Sequence, residues 1–174
     1  MGYAVKNQTL LTIDMGHFHP TENVADKLSS VLMFVPEVLL HLSRGVRWDS
    51  DHVTLYNDDM RLMCQEMVRT GQLEKFHIGT DYFDGSINRI GAWTVGSRST
   101  QKSLLFALLE PHAQLKKYEE DGNYFARMSL SEQVKTMPLS IVWEEYCKEC
   151  NVPSDAQALE AVLDYEKTVL AKRS

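Results

Sequence analysis

Asp14-Met15-Gly16-His17-Phe18-His19-Pro20 follows directly on the short apolar run Thr9-Leu10-Leu11-Thr12-Ile13, and that succession decides the fold. A nearly continuous apolar run ending at a carboxylate predicts a strand covered on both faces, with polar chemistry starting where the strand stops. Two more runs end the same way. Val38-Leu39-Leu40-His41-Leu42 leads into a loop from Ser43 to Asp51 that carries Asp49 and Asp51, and Phe76-His77-Ile78-Gly79-Thr80 ends at Asp81, with Asp84 close behind. If the three strands are parallel, these imidazoles and carboxylates gather at one edge of the sheet.

Helical patterns separate the runs. Thr21 is the expected cap of a helix with Val24, Leu28, Val31, Leu32 and Val35 at helical spacing, closed by Pro36. Asn57, Asp58 and Asp59 supply cap oxygens for a second helix, with Met60, Met63, Met67 and Val68 on a core-packing face and a stop at Gly71. A third pattern opens after Ser86 with Ile87, Ile90, Trp93 and Val95, where Gly91 and Gly96 mark a close approach to a neighbour or a kink. From Ser103 onward the pattern is helix after helix: 104–109, 114–120, 124–134, 141–150 and 156–170, punctuated by Pro111, Gly122, Pro138 and Pro153. The expectation is an α/β fold: three parallel strands with helices joined by right-handed crossovers, then a helical C-terminal region. The division falls at 1–110 and 111–174. Three strands cannot close a barrel, and they leave two edges that native domains normally cover.

The 174 residues suffice for one domain with a substantial core. A formal charge of -6 without a basic stripe excludes a nucleic-acid surface. No apolar run approaches the ~20 residues of a membrane span, and the first residues lack the pattern of a signal peptide. Cys64, Cys147 and Cys150 form no framework of paired spacings, which points to a reducing compartment, the cytoplasm. Cys147-Lys148-Glu149-Cys150 has the spacing of a redox pair, but its helical setting favours two helix-surface thiols.

Asp14 and His17 stand three apart and can reach one pocket from a single turn. His41, Asp49, Asp51 and Asp81 occupy equivalent ends of the next two strands. Carboxylates with neutral imidazoles suit Mn²⁺, Zn²⁺, Co²⁺ or Fe²⁺, and the oxygen-rich mixture favours Mn²⁺ or Mg²⁺ over a closed zinc site.

Three segments in order, Asp14 to Glu22, Arg47-Trp48-Asp49-Ser50-Asp51-His52-Val53 and Asp81 to Arg89, closely resemble those of the L-rhamnose isomerase family. The resemblance continues through Leu105 to Pro111 and Trp143-Glu144-Glu145-Tyr146-Cys147, so it spans nearly the whole chain. It implies part of a (β/α)₈ TIM barrel and a metal-dependent aldose–ketose isomerisation of L-rhamnose to L-rhamnulose, with hydrogen moving between C1 and C2. His17, Asp49 and Asp51 are then expected to hold the catalytic Mn²⁺, and Asp14, His41 and Asp81 the neighbouring structural cation, with Zn²⁺ or Co²⁺ as substitutes. Asp81 is also a candidate for shuttling the hydroxyl proton, and Trp48 and Phe83 for walling the sugar. The resemblance starts at the family's mid-chain, so Met1 is expected to be an internal methionine or the edge of a truncated gene. The family's glutamate ligand and lysine, from an earlier strand, have no counterpart here. Family members form homotetramers. Three outcomes stay open: a non-catalytic metal-binding fragment, another metal-dependent sugar isomerase or phosphodiesterase, and a separately encoded N-terminal half that completes the barrel.

Neighbouring polar residues have plainer expected roles. His19 and His52, beside the ligands, are expected to support them through hydrogen bonds or to be loop residues, His77 to be structural, and His112 to be exposed. Arg44 and Arg47 are expected to be ordinary surface arginines, counterions of the acidic cluster, or partners across a subunit face. Asp84 is expected to cap the following helix, and Glu22 to favour a helix N-terminus.

Overall fold

The computed structural model describes residues 1–47 and 50–173. A first helix, α1 (Gly2–Asn7), which the sequence did not announce, precedes β1 (Leu11–Asp14), α2 (Ala25–Val31), β2 (Val38–Leu42), α3 (Asp58–Arg69) and β3 (Phe76–Thr80). Five helices follow: α4 (Arg89–Leu109), α5 (His112–Glu120), α6 (Tyr124–Lys135), α7 (Leu139–Glu149) and α8 (Asp155–Thr168). The three strands form one parallel sheet in the order β1-β2-β3. Asp14 lies opposite His41, and His41 lies opposite Gly79. This register brings the ends of all three strands to one edge, as the sequence predicts.

The core lies between the sheet and α2 and α3. Val38, Leu40 and Leu42 point one way from β2 and pack with Leu28 of α2 and with Met60, Met63, Cys64 and Met67 of α3, all buried. Alternate positions on the strands are more open: Leu39 and His41 are half-buried, and Thr12 and His77 are exposed. The expected burial of both strand faces therefore does not hold among the described residues. One face is packed under helices, and the other presents mostly polar side chains.

Local chemistry explains the helix boundaries and several departures. Asn57 caps α3 by accepting from the Met60 N–H at 3.1 Å, and Gly71, at φ +68°, ends it where an L side chain would be strained. Helix α2 begins later than expected. Thr21 does not cap it; its hydroxyl pairs with His19 Nδ1 at 2.7 Å, while Asn23 Oδ1 accepts from the Ala25 N–H at 3.0 Å. The helix also ends at Val31, before Pro36. The predicted segments after Ser86 and from Leu104 are one continuous helix, α4: no proline falls between them, and the helix runs through Gly96. Asn88, not Asp84, caps α4, accepting from Gly91 N at 2.7 Å. Asp84 instead closes a turn onto Ser86.

Helices α7 and α8 pack against α4. Their common anchor is Asp155, which accepts from Arg98 at 2.8 Å and from the Trp143 indole at 3.0 Å, with Lys102 beside it. Gly96 leaves room for the Tyr82 ring, so the close approach expected there is realised. At the end of α4, Glu110 is buried and accepts from two guanidinium nitrogens of Arg69, Nη2 at 2.7 Å and Nε at 2.9 Å. His112, expected to be exposed, is half-buried, with Nδ1 2.9 Å from Glu110 and Nε2 2.9 Å from the Ala107 carbonyl. Cys147, expected on the helix surface, is buried under α4, whereas Cys150 is exposed. Within the described residues no helix is long and apolar enough to cross a membrane.

Candidate metal centre

Asp14 is the fixed point of the site. It is 6% exposed at the end of β1, and its two oxygens face different partners. Oδ1 accepts from the Gly16 N–H at 2.8 Å and from the Ser43 hydroxyl at 3.2 Å. Oδ2 stands 3.3 Å from His41 Nδ1 and 3.6 Å from His17 Nε2. Because Met15–His17 forms a single tight turn after the strand, His17 folds back over the carboxylate that precedes it.

Two groups grow from that oxygen. Asp14, His41 and Asp81 form one, with His41 Nδ1 3.4 Å from Asp81 Oδ2; Asp14, His17 and Asp51 form the other, with His17 Nε2 3.8 Å from Asp51 Oδ2. Within each group the ligand atoms lie within 4.8 Å of one another. A cation held at about 2.0–2.2 Å by oxygen or nitrogen sets its donors roughly 3–4 Å apart, so the spacing fits a single ion in each group. The two carboxylates of each group, this close, repel one another unless positive charge lies between them.

Asp51 is delivered by a braced loop. Arg44 and His52 exchange backbone hydrogen bonds at 2.9 and 3.1 Å, closing its base, and Ser50 Oγ ties down Val46, Arg47 and its own turn. The Ser50 N–H donates to the Gly16 carbonyl at 3.1 Å, which fastens the loop to the turn after β1. Gly16 has no room for a side chain: a Cβ there would strike the Asp51 carboxylate and come within 2.8 Å of Ser43 Oγ. Asp51 Oδ1 is buried and, among the described residues, has no hydrogen-bond partner. Buried carboxylate oxygens are rarely left so, and a cation is the kind of partner that satisfies one. The donor set and the orphaned oxygen thus fit a divalent metal ion.

Of the six residues singled out from the sequence, Asp14, His17, His41, Asp51 and Asp81 come together, and Asp49, with Trp48, lies outside the described residues. Neither His19 nor His52 joins the two groups found among the described residues. His77 pairs with Glu37 at 2.6 Å on the open face of the sheet, away from the cluster. Arg44 donates from Nε to the Val53 carbonyl at 3.0 Å and so serves the loop. Asp84 is held below its ordinary pKa, first by the Ser86 hydroxyl and backbone, with lesser help from the charges of His52 and Arg44. Phe83 is exposed beside it. Two residues were missed by sequence reasoning, Ser43 and Gly16. A polar residue directly after the strand run Leu40-His41-Leu42 was the available signal for Ser43.

A family model for L-rhamnose isomerase (RhaA) matches residues 1–173. L-rhamnose isomerases of Rhodopirellula baltica and Citrobacter koseri are 52% and 51% identical to the chain over all 174 residues, covering 41% and 42% of their own lengths. That of Salmonella paratyphi B is 50% identical over the same span. The chain therefore spans about two fifths of the length of the curated relatives it matches, 41% to 42%. Since the match takes in residues 1–173, and with them the ends of all three strands, the chain belongs to the L-rhamnose isomerase family.

Proposed function

We propose that the chain is the metal-holding part of an L-rhamnose isomerase, which interconverts L-rhamnose and L-rhamnulose by moving hydrogen between C1 and C2. The observation that carries this reading is the convergence of Asp14, His17, His41, Asp51 and Asp81 on two adjoining clusters at the ends of parallel strands. His17 and Asp51, with Asp49, would hold the catalytic cation; Asp14, His41 and Asp81 would hold the structural one. The oxygen-rich set suits Mn²⁺, and Zn²⁺ or Co²⁺ are substitutes. Bound there, a divalent cation supplies Lewis acidity, stabilising negative charge that develops on the sugar oxygens.

The protein's own groups supply the rest. Ser43 and the Gly16 N–H hold Asp14 still, so little reorganisation is needed when charge develops. Asp81 is 63% exposed on the open rim of its cluster, and its carboxylate would pass the hydroxyl proton between neighbouring sugar oxygens. Phe83, exposed just beyond, offers an apolar wall for the sugar.

The polar, uncovered sheet face and the two outer strand edges support a finer reading, in which residues 1–110 are part of a (β/α)₈ barrel and 111–174 a helical extension. Further strands, from an N-terminal half carrying the family's glutamate and lysine, would complete it. The same reading makes the protein cytoplasmic and its assembly a homotetramer. Incubating the chain with Mn²⁺ and L-rhamnose, alone and mixed with that N-terminal half, and assaying ketose tests it. Ketose from the complete barrel is expected, with L-rhamnose preferred in an aldose panel. No product in either arm, or preference for an aldose other than L-rhamnose or L-mannose, overturns the reading.

A further inference from the structure

Asp14 contributes the same oxygen to both ligand groups, and that choice of oxygen is not free. Its Oδ1 is occupied by two donors from different elements, the Gly16 N–H from the turn after β1 and the Ser43 hydroxyl from the residue after β2. Ser43 is 1% exposed, so its hydroxyl is shielded from bulk solvent. With Oδ1 fixed, Oδ2 is turned toward His17 Nε2 at 3.6 Å and His41 Nδ1 at 3.3 Å.

We infer that Ser43 is a positioning residue that makes Asp14 a ligand shared by both cation sites, by holding Oδ1 so that Oδ2 alone faces the two clusters. The inference rests on the metal reading above and deepens it. The backbone donor from Gly16 lies close to the carboxylate in sequence and leaves it a hinge about the Cα–Cβ bond. The Ser43 donor comes from the neighbouring strand and removes that freedom. It also ties the geometry of the two sites together, since both depend on the orientation of one carboxylate. Groups that orient a metal-bound carboxylate through a hydrogen bond typically matter by about 10–100-fold in metal affinity.

The test is Mn²⁺ binding to the full 174-residue chain, followed by electron paramagnetic resonance of free Mn²⁺ and by the Mn²⁺-induced rise in Tm, for wild type, Ser43→Ala and Ser43→Cys. Cysteine keeps most of the volume while donating poorly, so it carries the test if the alanine variant fails to fold. Both variants are expected to bind Mn²⁺ about tenfold or more weakly at every site wild type fills, and to lose most of the metal-induced rise in Tm, with metal-free melting near that of wild type for the cysteine variant. Wild-type affinity in either folded variant overturns the role of Ser43 while leaving the metal reading intact. A wild-type chain that takes up no Mn²⁺ overturns both.

Discussion

Gly16 and Asp51 are in mutual contact such that the position of Gly16 admits no side chain: a Cβ there would occupy the space of the Asp51 carboxylate. The absence of one carbon atom therefore sets where a carboxylate from another loop comes to rest. Gly16→Ala is expected to push Asp51 out of its group. Overpacking of this kind costs about 1–3 kcal/mol, read as a lower midpoint in urea unfolding, and Mn²⁺ affinity should fall with it. Unchanged affinity and stability would show that the loop yields freely.

Met63 of α3 is fully buried in the core that α3 shares with α2 and the sheet, and it represents the methionine face of that helix. Met63→Ala should destabilise the chain by about 2–5 kcal/mol in denaturant unfolding, the range for a buried large residue cut back to its Cβ. A loss below about 1 kcal/mol would mean that the core collapses around the gap.

Asp155 makes the helical region sensitive to acid. Burial alone raises its pKa, but hydrogen bonds from Lys102, Trp143 and Arg98 outweigh it and hold the carboxyl below its ordinary 3.8. A group whose pKa is lowered by folding stabilises the fold above its ordinary value, and that contribution disappears as pH falls through the lowered value. The difference in Tm between wild type and Asp155→Asn should be full at pH 6 and shrink below about pH 4. A difference independent of pH would mean that the carboxylate charge is not what joins α4, α7 and α8.

The three cysteines should separate by reactivity. Burial pushes the Cys64 thiol up to about 12, and Cys147 is buried under α4, while Cys150 is exposed at the end of α7. A thiol reagent at neutral pH is expected to modify Cys150 first, with Cys64 and Cys147 reacting only on unfolding. Equal rates, resolved by peptide mass mapping, would contradict the packing of α7.

Much of this arrangement was legible before any coordinates. Apolar runs ending at Asp14, Leu42 and Thr80 announced the strands, since period and length leave few alternatives, and the clustering of Asp14, His17, His41, Asp51 and Asp81 followed from parallel pairing. Helix starts were less legible. Thr21 and Asp84 have the right chemistry for caps, but each found a nearer partner, His19 and Ser86, and such local competition leaves no trace in a linear pattern. Exposure was misjudged for Cys147 because its burial depends on how α7 meets α4, a contact distant in sequence, and for His112 because its ring turns back onto the end of α4, where Glu110 and the Ala107 carbonyl hold it. Ser43 escaped notice for a related reason: its function is a hydrogen bond to a residue 29 positions away.

The central claim is that Asp14 and its neighbours hold divalent cations, and the most direct measurement is Mn²⁺ uptake by the wild-type chain and by Asp14→Asn, using paramagnetic resonance of unbound Mn²⁺. The account predicts saturable uptake by wild type and its loss at both groups in the variant, because both share Asp14. Absence of uptake by wild type, or uptake unaltered in Asp14→Asn, would contradict it.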